Sequence, residues 1–350
     1  MSNLQNKNFY SQIVDLLQSA RQQVLRTVNK TMVITYFEIG RIIIEEEQNG
    51  KERADYGKSI LKELSKVLTK EFGKGFSVYN LERMRKFYFI YKERNIKNNI
   101  SASLLRKSKT EIAETLFAKF ELSWSHYLTL IRIDNENERF FYEIESAKNN
   151  WSVRELKRQY DSALYTRLML SRNNEKIKEL ATKGQILEKP KDAIKDPYVL
   201  EFIGLPENAE YSESDLEQKL IDKLEHFLLE LGTGFTFVAR QKRISFDDKH
   251  FRIDLVFYNR ILKSFVLIDL KIGELKHQDI GQMQMYVNYY DRKIRLKDEN
   301  KTIGIILCQN KSESVVEFTL PENNEQIFAS RYKTVLPSKK ELKLLLKQKQ

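Results

Sequence analysis

Two aspartates interrupt otherwise apolar runs in this chain: Asp254 in FRIDLVFY (251–258) and Asp269 in KSFVLIDLK (263–271), with Lys271 two residues further on. An unpaired carboxylate buried in such a strand costs several kcal/mol, so both charges need a partner. Side chains alternate along a strand, which puts Asp269 and Lys271 on one face. If the two runs form a hairpin turning near 259–262, facing residues have numbers that sum to about 522, give or take two. Asp254 then lies opposite Asp269 or one step diagonal to it. Two carboxylates held together at a strand edge make a site for a hard, oxygen-preferring divalent cation, Mg²⁺ above all and Mn²⁺ as a substitute. The lysine beside them can orient or help deprotonate an attacking water, and can stabilise charge that builds on a phosphate. The chemistry such a set could do is metal-assisted hydrolysis of a phosphate ester; structural salt bridges at a sheet end are the other reading of the same residues.

Other residues are candidates for the same site. Glu217, one turn into a preceding helix, offers a third acidic group for the metal, either directly or through water; a capping box of Ser214 and Glu217 would explain it without catalysis. Gln282 and Tyr286 are four apart, share a helix face and are placed to hold a phosphate or the lysine. Arg240, Gln241, Lys242 and Arg243 follow the first strand and are candidates for substrate phosphates. The four histidines are scattered, with no second His or Cys at ligand spacing, which argues against zinc; His250 and His277 read as solvated loop residues and His126 as packed or hydrogen-bonded between helices. Gly57-Lys58-Ser59 lacks the first glycine and the preceding strand of a phosphate-binding loop, and reads as a helix start.

The elements that position these residues fall into two halves. From about 9 to 170 apolar residues recur at helical spacing, so 1–175 is expected to be an all-α domain. Within it, 56–72, the turn 73–75 and 77–91 read as helix, turn and helix, with Ser77 as N-cap. Arg83, Arg85 and Lys86, beside Phe87, Tyr88 and Tyr91, suit phosphates and bases; the equal alternative is a packed helical hairpin whose aromatics are core and whose basic residues are solvated. Residues 176–211, punctuated by Gly184, Pro190, Pro197, Gly204 and Pro206, read as a linker with local structure around 198–203. From 212 to 350 the expected order is α-β-β-β-α-β: a helix over 214–231, strands at 235–240, 251–258 and 263–271, a helix near 276–290 and a strand at 302–308. The tail KKELKLLLKQKQ is a short basic helix or frayed end.

Composition suggests a partner without deciding it, since a Lys-rich soluble surface has the same charge. Sixty Lys and Arg against forty-nine Asp and Glu give a net charge of +11 and a pI near 9.3, favouring nucleic acid before a membrane surface. A lone cysteine, Cys308, lies in an apolar run and reads as a buried, inert thiol, which fits a reducing cytoplasm. No apolar stretch is long enough to span a bilayer. A soluble cytoplasmic protein is expected.

Acidic helix, Asp strand, D-x-K strand and Gln-x-x-x-Tyr helix, in this order, resemble the PD-(D/E)XK nuclease superfamily. The segments LATKGQILEKP, KDPYVLEFIGL, FLLELGTGFTFVARQ, IDLVFY, VLIDLKIG and GQMQMYVNYY resemble the C-terminal domain of the YhcG family of bacterial nucleases. YFEIGRIII, YGKSILKELSKVL, GFSVYNLERMRKFY, LSWSHYLTL and WSVRELKRQ resemble its N-terminal domain. The resemblance implies a restriction-endonuclease-like α/β core, a central mixed sheet flanked by helices, catalytic at Glu217, Asp254, Asp269 and Lys271 and helped by Gln282. Ile253 stands where the superfamily's name has proline. The expected activity is Mg²⁺-dependent cleavage of nucleic acid, DNA before RNA and endonucleolytic before exonucleolytic. The rival is a non-catalytic DNA-binding or scaffold protein on a nuclease fold. A homodimer, or association with a larger DNA-processing system, stays open.

Overall fold

The structure is a computed structural model that describes residues 2–49, 54–96, 120–171, 174–206, 211–246 and 249–336. The chain divides into two compact units, Met1–Leu156 and Lys157–Gln350.

The first unit is helical among its described residues: α1 (Ser2–Asn49), α2 (Ala54–Phe72), α3 (Val78–Ile96), α4 (Trp124–Leu130), α5 (Glu136–Lys148) and the start of α6 (Val153–Asp161). The expected helix, turn and helix are α2, residues 73–75 and α3, and Ser77 Oγ accepts the Asn80 N–H at 3.4 Å as the cap of α3. Gly57-Lys58-Ser59 lies inside α2. Helix α3 packs hard on α1, where a Cβ on Gly40 would meet the Met84 carbonyl oxygen at 2.2 Å. Phe87 is buried among Phe37, Tyr91, Phe120, Trp124 and Tyr127, ring centroids 5.0–5.8 Å away. Phe87 and Tyr91 are therefore core, as in the packed-hairpin reading, and Tyr88 is half-buried. Of its cations, Arg85 pairs with Glu47 at 2.7 Å and Arg83 lies 3.8 Å over the Tyr79 ring, while Lys86 is exposed. His126 is hydrogen-bonded between elements as expected, to Ser123 Oγ at 2.7 Å and the Trp151 carbonyl at 2.9 Å; burial lowers its pKa.

The second unit continues with α7 (Leu164–Ser171), α8 (Asn174–Lys183) and β1 (Tyr198–Val199), then α9 (Glu213–Asp222), α10 (Leu224–Leu231), β2 (Phe235–Phe246), β3 (Lys249–Asn259), β4 (Ser264–Glu274), α11 (His277–Lys293), β5 (Ile303–Asn310), α12 (Glu313–Thr319) and β6 (Ile327–Lys333). The strands form one mixed sheet in the order β1-β6-β5-β4-β3-β2, with β2, β3 and β4 antiparallel and β4, β5, β6 and β1 parallel. Parallel strands covered on both faces read as continuous apolar runs, and β4 and β5 do so. One face packs Leu255, Phe257, Ile268 and Leu270 against Leu216 and Leu220 of α9 and Phe227 and Leu231 of α10. The other packs Val256, Leu267 and Ile306 against Met283, Tyr286 and Val287 of α11. Gly304 lets α11 approach β5, since a Cβ there would meet Met283 at 2.6 Å.

The helix expected over 214–231 is two, broken at Lys223, whose backbone leaves the helical region. Residues 190–203, within the stretch expected as a linker, form β1 between two short 3₁₀ turns, and Ala193, Ile194, Tyr198, Leu200 and Ile203 enter the core. Cys308 is buried, and burial pushes its thiol up to about 12. Among the described residues no helix is long and apolar enough to cross a membrane. The tail 339–350 lies outside the described residues.

Candidate active site

The β3–β4 hairpin sets the site. Asn259 Oδ1 accepts the N–H groups of Ile261 and Leu262 at 3.0 and 3.1 Å, and Lys263 closes the turn with a φ of 46°. Leu255 then pairs with Ile268, one residue later than the expected register and within its tolerance. The next step places Asp254 opposite Asp269. Beyond the last ladder pair the Asp254 side chain takes over a β4 donor, its Oδ2 accepting the Leu270 N–H at 2.8 Å.

Asp269 is only 2% exposed, and Lys271 Nζ lies 2.8 Å from its Oδ2. Burial first, and the Asp254 charge second, raise the Asp269 pKa to about 7 against the pull of Lys271. Burial lowers the Lys271 pKa, but Asp269 and then Glu213, 3.7 Å away, outweigh it, so the ammonium stays protonated at neutral pH.

Glu217 is not the helix cap. Ser212 caps α9 in a box with Asp215: Ser212 Oγ accepts the Asp215 N–H at 3.1 Å, and the Asp215 carboxylate accepts the Ser212 N–H at 2.9 Å. Glu217 is buried instead, 5% exposed, and turned toward the strands. The Gln241 amide Nε2 donates to Glu217 Oε2 and, at 3.1 Å, to Asp254 Oδ1, and Arg240 Nε lies 3.1 Å from Glu217 Oε1. Burial is the largest cause raising the Glu217 pKa; the Gln241 hydrogen bond opposes it and the Asp254 charge adds to it.

On α11 the Gln282 amide donates to the Tyr286 hydroxyl, which donates to the Arg252 carbonyl at 2.8 Å. Burial first raises the Tyr286 pKa, to about 12, with Asp269 and Asp254 adding to it. The two residues thus meet each other and the β3 backbone, rather than Lys271. Lys242 and Arg243 are exposed on β2, and Arg83, Arg85 and Lys86 belong to the first unit. His250 bonds Ser245 Oγ at 2.9 Å, and His277 is exposed at the start of α11. Sequence reasoning passed over Glu213, which accepts the Ile272 N–H at 3.3 Å beside Lys271. Its signal was present: Glu213 and Glu217 are four apart and share a helix face.

Among the described residues no three His, Cys, Asp or Glu side chains gather at metal-ligand spacing. The carboxylates are held by Gln241, by the Leu270 N–H and by Lys271. Two buried oxygens, Glu217 Oε1 and Asp269 Oδ2, have a cationic neighbour but no hydrogen bond of good geometry. Buried polar atoms left so call for an ion or water, and anionic oxygens suit a hard divalent cation.

Comparison with known proteins agrees with the fold and places it. Residues 191–347 match the family described as the YhcG PDDEXK nuclease domain, and residues 12–167 match the DUF1016 N-terminal domain. The C-terminal region is thus a nuclease domain of PDDEXK type. The protein named "Putative nuclease YhcG" of Escherichia coli (strain K12) is 41% identical over 341 residues, covering 94% of this chain and 90% of that protein. The chain belongs to the YhcG family. Among solved structures, a repair endonuclease from Pyrococcus abyssi matches at 18% identity with a TM-score of 0.25, over 38% of this chain and 50% of that one. An EndoMS complex with double-stranded DNA matches at 14% identity with a TM-score of 0.27, over 39% and 51%. The match spans about half the length of each of these two structures.

Proposed function

We propose that the chain is a metal-dependent nuclease that hydrolyses phosphodiester bonds of nucleic acid, DNA in the first instance, as a cytoplasmic endonuclease. The observation that carries this is the juxtaposition of Asp254 and Asp269 across β3 and β4, with the Lys271 ammonium 2.8 Å from Asp269 and Glu217 drawn in through Gln241. Nothing in a purely binding role needs two carboxylates forced together beside a half-buried ammonium. Asp254 and Asp269 would hold a divalent cation, Mg²⁺ or Mn²⁺, with Glu217 directly or through water, and the cation would supply Lewis-acid polarisation of the phosphate and activation of water. Lys271, held protonated, stabilises charge on the phosphate and orients the attacking water rather than removing its proton. Tyr286 and Gln282 hold the β3 backbone at Arg252 beside Asp254. Arg240, Lys242 and Arg243 on β2, and Arg83, Arg85 and Lys86 on α3, supply positive charge for the nucleic-acid backbone.

The experiment that tests this incubates the purified chain with circular DNA, linear DNA and RNA, with and without Mg²⁺. Nicking or linearising of the circle only with Mg²⁺ or Mn²⁺ is expected, while Ca²⁺ should permit binding with little turnover. Undiminished cutting in excess chelator rules out the mechanism, and binding without cutting on every substrate favours the scaffold reading.

The Asp269 pKa adds a pH dependence. A cation needs the carboxylate ionised, and the metal-free group holds its proton up to about pH 7. At subsaturating Mg²⁺ the cleavage rate should therefore rise with pH through about 7 and level off above it, with the midpoint moving to lower pH as Mg²⁺ is raised. A rate flat from about pH 5.5 to 8.5 at low Mg²⁺ contradicts that assignment.

A further inference from the structure

Gln241 departs from the strand that carries it. Consecutive side chains of a regular strand point to opposite faces, yet Arg240 and Gln241 both reach Glu217, one at Oε1 and the other at Oε2. The backbone makes this possible: Gln241 has a φ of 46°, in the left-handed region that residues other than glycine seldom adopt. The alternating burial of β2 runs from Phe235 through Gln241 and resumes one position out of phase at Ile244. Across the β2–β3 ladder, Gln241 stands opposite Asp254, between the pairs Arg240–Leu255 and Lys242–Ile253. Strained conformations persist where the surroundings over-determine them, and they cluster at functional sites. Here the conformation delivers one amide nitrogen, with its two N–H donors, to carboxylates from two separate elements, Glu217 of α9 and Asp254 of β3.

We infer that Gln241 is a positioning residue: it ties Glu217 to Asp254 and so sets the spacing at which the acidic cluster receives a divalent cation, instead of contacting nucleic acid. Each carboxylate oxygen it touches keeps a lone pair for a cation, and partners that hydrogen-bond metal ligands fix their orientation and their affinity. This inference rests on the reading of the site as a metal-dependent nuclease and assigns one residue's part in it.

The test uses the full chain with Gln241→Gly and Gln241→Asn. Glycine suits the left-handed backbone and removes the amide without adding strain. Asparagine tolerates the same backbone but is one methylene too short to span both carboxylates. Calorimetric titration with Mn²⁺, in the absence of nucleic acid, should show affinity lowered about tenfold or more in both variants. Affinity for a DNA duplex in metal-free buffer should stay within about twofold of the parent, since a lost positioning contact leaves the phosphate contacts in place. The melting temperature of Gln241→Gly should not fall. In cleavage, the Mn²⁺ concentration for half-maximal rate should rise in parallel while the rate at saturating Mn²⁺ largely recovers. Parent-like Mn²⁺ affinity in both variants overturns the inference, as does weakened DNA binding with Mn²⁺ affinity unchanged, which would make Gln241 a substrate contact. A parent chain that takes up no Mn²⁺ overturns the inference and the nuclease reading together. One that binds Mn²⁺ and cuts, with variants to match, overturns the inference alone.

Discussion

Asp254→Ala, Asp269→Ala and Lys271→Ala are each expected to lose cleavage by on the order of 10²-fold or more, while DNA binding should survive. On the proposed reading the three would act mainly on the transition state: the carboxylates as the cation's ligands, and the lysine as a fixed charge beside the phosphate. Removing Asp254 or Asp269 takes negative charge away from the phosphates and should leave affinity equal or tighter. Asp269→Ala carries a further expectation. It removes a buried group whose ionisation burial and Asp254 oppose, so the fold itself should tolerate the change. Glu217→Gln is a clean probe, because Ser212 and Asp215 cap α9 and the substitution leaves that cap intact. About a tenfold loss of activity is expected if Glu217 belongs to the metal's surroundings. If Asp269→Ala and Lys271→Ala keep their circular dichroism and cut at the parent rate, any activity belongs elsewhere.

The core of the candidate site was legible because two carboxylates stand out from apolar surroundings. Asp254 and Asp269 stand out in apolar strands, and a strand's period of two fixes which neighbours share their face; the hairpin then came within one residue of the observed register. What the sequence did not carry was backbone irregularity. Gln241 reads as one more polar residue after a strand, and nothing in ARQKR announces a left-handed residue that turns two consecutive side chains onto Glu217. The capping assignment missed by two residues because Ser212-x-x-Asp215 and Ser214-x-x-Glu217 overlap, and only burial separates them. Strand β6 and helix α12 went unseen for another reason: IFASRYK is short and mixed in polarity, and it joins the sheet by pairing in parallel with β5, a partner from an earlier element. Parallel pairing leaves no turn signal between neighbours. The aromatics of α3 were open in the sequence between a binding surface and a core; Phe87 and Tyr91, at helical spacing for a core, fill one.

The largest effect on stability is expected away from the site, at Glu230. This glutamate of α10 is fully buried and collects the charges of the segment before the sheet. Arg167 Nη1, itself fully buried, lies 2.6 Å from Oε1, and Arg158 Nη2 lies 3.4 Å from Oε2. The Val199 N–H donates to Oε1 at 3.0 Å, and Lys195 Nζ donates to the Glu230 carbonyl. Arg167 is further held by Ser162 and by the Pro197 carbonyl, and Arg158 by Glu201 at 2.7 Å. One carboxylate thus joins α6, α7, β1 and α10. Burial alone would raise its pKa; Arg167, then Lys195 and Arg158, outweigh that and hold it at about 2. Glu230→Ala leaves the Arg167 guanidinium buried without its counter-charge and the Val199 N–H without its acceptor, and breaking a buried pair in this way costs about 3–5 kcal/mol. Replacing both partners by apolar residues of similar size, Glu230→Leu with Arg167→Met, should recover most of the loss, because the desolvation penalty goes with the charges. The pH dependence has a definite sign. A carboxyl depressed on folding stabilises fully above its unfolded pKa and loses that contribution as pH falls toward the folded one, so the gap between the parent and Glu230→Gln in urea unfolding should be wide at pH 7 and close between about pH 4 and 2. A Glu230→Ala chain within about 1 kcal/mol of the parent at pH 7 would mean that relaxation or water replaces the carboxylate, and that this cluster does not hold the second unit's N-terminal helices to its sheet.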